Sequence, residues 1–181
     1  MRLSRNPLTM MKPSLFINAR KTAKLDTIAS YLRPEDIRLD VDISSKPDLL
    51  DAIGRHMELE HSLPRESVSL GLSRREQLGS TGLGQGIAIP HARVKNLNRI
   101  LVAYLRPKSP IPFAAPDGEP VSDILVLLVP KHATEEHLSI LADASQMFAN
   151  TRFRARLRQC GDPVAVKRLF DTWPLSPPWF Q

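Results

Sequence analysis

The chain has 181 residues, 42% of them hydrophobic and 24% charged, with a formal charge of +6. These values fit a soluble folded domain with a real core and exclude a largely disordered or collagen-like chain. A single cysteine, Cys160, excludes a disulfide scaffold. One cysteine and five scattered histidines give no zinc framework, and no apolar run reaches the roughly 18–20 residues of a membrane span.

In chain order, residues 1–24 come first, with Arg2, Arg5, Lys12, Arg20, Lys21 and Lys24 and no acid. The rest of the chain holds nineteen basic and nineteen acidic residues, so the whole excess of +6 belongs to this segment. A nucleic-acid-binding reading of the charge is therefore confined to a basic tail, with Met10 and Met11 as alternative starts. The chain divides into a basic, flexible tail over 1–24, a neutral domain over 25–172 and a Pro- and Trp-containing tail over 173–181.

Ser45, followed by Pro47 and Asp48, predicts a helix start, and Leu49, Leu50, Ile53, Met57 and Leu59 fall on or near one face as it runs toward His61. A second helix restarts at Pro64 and carries Val68, Leu70 and Leu72 toward Arg74, Arg75 and Glu76. Gly79–Gly86 then places four of the eight glycines in one loop. Beyond it the period changes. Ile87–Pro90 predicts a short strand ending at His91, and 100–105 predicts a buried strand. Five prolines make 107–120 mostly connection, with Ile111–Phe113 as a possible edge strand. Residues 124–129 predict a second central strand. Helices follow from Thr134, over 151–158 and over 163–170. The expected architecture is α/β: a single-domain sandwich with a mixed β-sheet flanked by helices on both faces.

The chemistry concentrates in GSTGLGQGIAIPHAR, residues 79–93. Glycines let the backbone turn sharply, and successive N–H groups can form an anion-binding concavity. The segment lacks the Gly-Lys-Ser/Thr of a Walker A loop, and no strand precedes it as a dinucleotide fingerprint requires. Pro90 restrains its neighbours and stiffens the placement of His91. A neutral imidazole is a nucleophile, and attack on phosphorus gives a labile phosphoramidate. Cations and donors must then surround the transferred oxygens. Arg75 is the candidate clamp, His137 a candidate second imidazole, and Ser80, Thr81 and Gly82 offer hydroxyls and backbone donors. His56, His61 and His132 lack such a context and are expected to be surface or core residues. Cys160 is expected to be a small packing residue. No cofactor or metal is expected.

Arg75-Glu76 with Gly79–His91 resembles the phosphorylation signature of the type-2 enzyme IIA domains of the bacterial phosphotransferase system, the fructose/mannitol/nitrogen-regulatory class. Pro110–Phe113, Asp117–Val121, Leu127–Pro130 and His137–Leu141 match in order, so the resemblance covers about residues 25–171. It implies that His91 accepts a phosphoryl group on Nε2 from an HPr-type phosphocarrier, that Arg75 and His137 are its active-site companions, and that the protein is a cytoplasmic phosphotransfer component. Leu83 and Ile89 are candidates for the carrier's docking face. Gln85 stands where Asn is common, and Ala92-Arg93 replaces the common Gly-Lys. With no second transferase, membrane or carrier domain in this chain, the nitrogen-regulatory branch is the closest match, acting through phosphorylation-dependent binding. The alternatives are a sugar-transport IIA component passing phosphate to a separate IIB, and a basic-tailed nucleic-acid-binding module.

Overall fold

The computed structural model describes residues 27–132 and 135–173, and for 135–137 the backbone only. The basic tail over 1–24, the proposed cap Thr134, the side chain of His137 and nearly all of the C-terminal tail lie outside the described residues.

The sheet grows from its most apolar segment. Strand β6 (Asp123–Pro130) is buried at every position but the last. Side chains alternate across a strand, so a strand buried throughout must be covered on both faces. Leu125, Leu127 and Val129 enter one core, and Ile124, Val126 and Leu128 enter the other. Strand β5 (Leu101–Pro107) runs antiparallel to it, from Leu101 opposite Leu128 to Leu105 opposite Ile124. Strand β1 (Leu32–Val41) lies parallel on the outer side of β5.

On the other side of β6 lie β3 (Ile87–Ala88) and β4 (His91–Val94), both parallel to it. They share one register, with Ile87 opposite Asp123, Ala88 opposite Ile124 and His91 opposite Leu127. They form one line interrupted at Pro90, which has no N–H to donate but whose carbonyl still accepts from the Leu127 N–H at 3.0 Å. Strand β2 (Gly82–Gly84) pairs antiparallel with β3 at the edge. The sheet is therefore mixed, as expected.

Helices cover both faces. α2 (Lys46–His61) and α3 (Arg65–Gln77) bring Leu49, Ile53, Met57, Val68 and Leu72 to one core. α1 (Ile28–Tyr31), α4 (Glu135–Ala149), α5 (Thr151–Gln159) and α6 (Pro163–Asp171) fill the other, where Phe148, Phe153 and Phe170 meet edge to face. The starts follow capping chemistry. Ser45 Oγ accepts from the Asp48 N–H, Asn150 from Phe153 and Asp162 from Ala165. No helix among the described residues is long and apolar enough to cross a membrane.

Four expectations need correction. α1 and β1 precede the first predicted element. β2 forms inside the glycine segment that reads as a loop. His91 opens β4 instead of ending the strand before it. Leu59 and Leu70 are 81% and 55% exposed, so they lie off the buried faces of α2 and α3. The Ile111 edge pairing is present as a single antiparallel bridge to Val121.

Candidate phosphoryl-acceptor site

β4 alternates half-buried His91, buried Ala92, exposed Arg93 and buried Val94, so His91 and Arg93 share one face of the strand. α3 packs against β4 at Gly71, where an added Cβ would stand 3.4 Å from the Cβ of Ala92. One turn further on, at i+4 from that contact, is Arg75. Its Nε–H donates to His91 Nε2 at 3.0 Å, and its Nη1 donates to the Gly79 carbonyl at 3.0 Å. Arg74 is exposed.

The partners fix the state of the imidazole. The Ile89 carbonyl lies 2.9 Å from Nδ1 and can only accept, so Nδ1 carries the proton. The Arg75 guanidinium can only donate, so Nε2 holds its lone pair. The result is a neutral Nδ1–H tautomer with a nucleophilic Nε2 facing a guanidinium. It is held from behind by its own chain two residues upstream.

The glycine segment is braced by Glu76, which sequence reasoning passed over as part of a helix end. Its carboxylate accepts from the Thr81 N–H at 3.1 Å, the Thr81 hydroxyl at 2.6 Å and Lys46 Nζ at 2.7 Å. Burial alone would raise the Glu76 pKa, but the hydrogen bonds from Lys46 and Thr81 outweigh it and hold the carboxyl below its ordinary range. Lys46 also lies over the Phe113 ring, 4.3 Å from its centre. The Ser80 hydroxyl donates to the Phe113 carbonyl at 3.0 Å and accepts from the Gly82 N–H at 3.2 Å. A Cβ at Gly82 would approach Ala115 to 3.0 Å, so a larger residue here would crowd that backbone. The hydroxyls of Ser80 and Thr81 are thus engaged within the loop. The signal for Glu76 was its place beside Arg75, since neighbours on a helix point to different sides.

The turn Gly84-Gln85-Gly86 is left-handed throughout, with φ of +87°, +56° and +82°. Asp117 anchors it, accepting from the Gln85 N–H at 2.6 Å and the Glu119 N–H at 3.1 Å. A Cβ at Gly84 would meet that carboxylate at 2.8 Å. His137 lies in the first turn of α4, and its side chain is outside the described residues. Leu83 is 48% exposed, whereas Ile89 is buried and belongs to the core. Cys160 is partly buried, and that burial raises its thiol pKa, as suits a packing residue.

The family model for the phosphoenolpyruvate-dependent sugar phosphotransferase system, EIIA 2, matches residues 30–172. The chain belongs to this family. It is 40% identical over 145 residues to the nitrogen regulatory protein of Pseudomonas aeruginosa, covering 78% of this chain and 93% of that one. The crystal structure of nitrogen regulatory protein IIA-Ntr from Neisseria meningitidis superposes with a TM-score of 0.75 at 40% identity, covering 79% of this chain and 98% of that one. The IIA mannitol structure from Escherichia coli shares the fold at a TM-score of 0.65 and 18% identity, covering 76% and 97%.

Two of the histidines expected to be surface or core residues have buried side chains and share one carboxylate. His56 and His61, from the last two turns of α2, both turn Nε2 to the same oxygen of Asp36 on β1, at 3.0 and 2.7 Å. Arg33 Nε reaches the other oxygen at 3.0 Å. Burial pushes the Asp36 pKa up, and the hydrogen bonds from His56, His61 and Arg33 more than reverse this, holding it at about 2.

Proposed function

We propose that this EIIA protein is a phosphohistidine carrier that takes a phosphoryl group on His91 Nε2 from the phosphohistidine of an HPr-type carrier, and that a target protein distinguishes its two states. The observation that carries this reading is the pair of fixed contacts on one imidazole: Ile89 accepting at Nδ1 and Arg75 donating at Nε2. In the transfer, the donor's N–P bond breaks and its electron pair stays on the donor imidazole. The His91 Nε2 lone pair forms the new N–P bond, and no proton needs to move. Phosphorylation places positive charge on the His91 ring, and the Nδ1–H bond to Ile89 stabilises it. The Arg75 guanidinium shifts from the lone pair to the incoming oxygens, which its planar donors match. Arg93, on the same face of β4, adds a second cation.

Regulation is favoured over sugar transport by the 40% identity over 145 residues to a nitrogen regulatory protein, against 34% over 103 residues to a fructose-specific EIIA component and 18% to the mannitol component. His137 is assigned as a second imidazole at the transferred group, from its match to the family motif. A cytoplasmic location follows from the need to meet the carrier there. The test uses the general phosphotransferase, the HPr-type carrier and labelled phosphoenolpyruvate. Acid-labile, base-stable label is expected on the wild type and not on His91→Ala. Label persisting in that variant refutes the acceptor assignment.

A further inference from the structure

The Asp36 cluster lies on β1 and the end of α2, apart from the phosphoryl site on β4 and α3. Among the described residues it is the one group whose His, Cys, Asp and Glu ligand atoms converge closely enough to hold a metal ion. All three ligand atoms fall within 4.8 Å of one another. The side chains of Asp36, His56 and His61 are only 1%, 6% and 2% exposed.

We propose that Asp36, His56 and His61 form a site for one divalent transition-metal ion of the zinc class, which ties the end of α2 to β1. The ligand set is two imidazole Nε2 atoms and one carboxylate oxygen, the borderline donors that zinc takes, with water completing four-coordination. A tetrahedral ion at 2.0–2.2 Å from each ligand spaces neighbouring ligand atoms by about 3.3 Å. The Asp36 oxygen now stands 3.0 and 2.7 Å from the two nitrogens, so these two gaps must open by roughly 0.3–0.6 Å, while the two nitrogens, within 4.8 Å of each other, settle to the same spacing. Arg33 already holds the second carboxylate oxygen, which orients the first toward the ion as an outer partner does.

The surrounding charge allows a cation. Arg33 and Arg99 face the cluster, with Arg33 Nη2 3.4 Å from His61 Nε2 and Arg99 Nη2 3.4 Å from His61 Nδ1, so both guanidinium groups must yield to the ion. Against them stand Asp36, Glu35 in an ion pair with Arg33, and Glu60, whose charge also acts on Arg33. His61 is the last residue of α2, where the helix dipole presents its negative end. Metal binding moves the ring proton of each histidine from Nε2 to Nδ1. On His61 that requires the exposed Arg99 side chain to swing out, so Arg99 competes with the ion.

The test is titration of the full chain, freed of metal by chelator, with Zn²⁺ alone by calorimetry and with Co²⁺ by visible absorption. One Zn²⁺ per chain is expected, with the intense visible bands of four-coordinate Co²⁺. Asp36→Asn, close in shape, and His61→Ala should each weaken binding at least about 100-fold. Arg99→Gln should tighten it several-fold. His91→Ala should leave it unchanged, which separates this site from the phosphoryl acceptor. Far-UV circular dichroism checks that each variant is folded, and the Co²⁺ spectrum of the wild type decides independently of any variant. No stoichiometric binding, a weak six-coordinate Co²⁺ spectrum, or binding that survives in both folded ligand variants overturns the proposal.

Discussion

Replacing Glu76 tests whether the glycine segment beside His91 is held by one carboxylate. Glu76→Ala leaves the Thr81 N–H and hydroxyl without their acceptor, and Thr81 is 5% exposed. Each buried donor left unmet costs about 1–3 kcal/mol. The ion pair with Lys46, whose side chain is 23% exposed, adds about 0.5–1 kcal/mol. The expected loss is about 2.5–7 kcal/mol, a large share of the roughly 5–15 kcal/mol that holds a domain together. Glu76→Gln keeps one oxygen for Thr81 and loses the charge, so its cost is about 1–2 kcal/mol. Urea unfolding followed by far-UV circular dichroism gives both values, with unchanged slope. A Glu76→Ala protein within about 0.5 kcal/mol of wild type would show that the loop stands without its brace, and the reasoning would fail.

The Glu76 carboxyl is held below its ordinary range, so the stability it supplies is present above about pH 4.5 and is lost as pH falls through its lowered folded value. Acid unfolding of Glu76→Gln should therefore be less steep below pH 4.5 than that of the wild type. Arg75→Ala should slow phosphoryl transfer about 100-fold or more, with Arg74→Ala near wild type, as measured by the rate of labelling from the HPr-type carrier. The opposite order would contradict the α3 register described above. Gln85 holds φ of +56° with both backbone groups engaged, by Asp117 and Arg158. Gln85→Asn should stabilise by about 0.5–1 kcal/mol in the same urea assay, because Asn tolerates the left-handed region.

Where local pattern and burial agree, the sequence was legible. The apolar runs of β5 and β6 and the cap at Ser45 mark their elements because strand period and capping chemistry act over a few residues. The pairing of Arg75 with His91 was legible as a candidate sixteen residues apart, but the contact depends on Gly71 letting α3 close on Ala92. Nothing local reports that approach. The bracing role of Glu76 was hidden for a related reason. A carboxylate next to an arginine near a helix end looks like a solvated pair until the following loop folds back onto it.

β1 shows the same failure with more at stake. Its segment, Leu-Arg-Pro-Glu-Asp-Ile-Arg-Leu-Asp-Val, has three acids and a proline, and an Asp where a buried apolar residue would complete the pattern. Period-2 reasoning rejects it. The strand forms because it pairs with β5 and because Leu32 and Ile37 enter the core, and Asp36 is tolerable there because α2 delivers two imidazoles to one oxygen and Arg33 holds the other. The partners lie twenty and twenty-five residues away, on a helix whose histidines look incidental until it is packed. A buried carboxylate in an otherwise readable strand therefore carries information in itself. It says that polar partners must arrive from elsewhere, since an ionised carboxylate left alone in the core is too costly to keep. In this chain the unreadable strand and the unassigned histidines are two halves of one feature, and each accounts for the other.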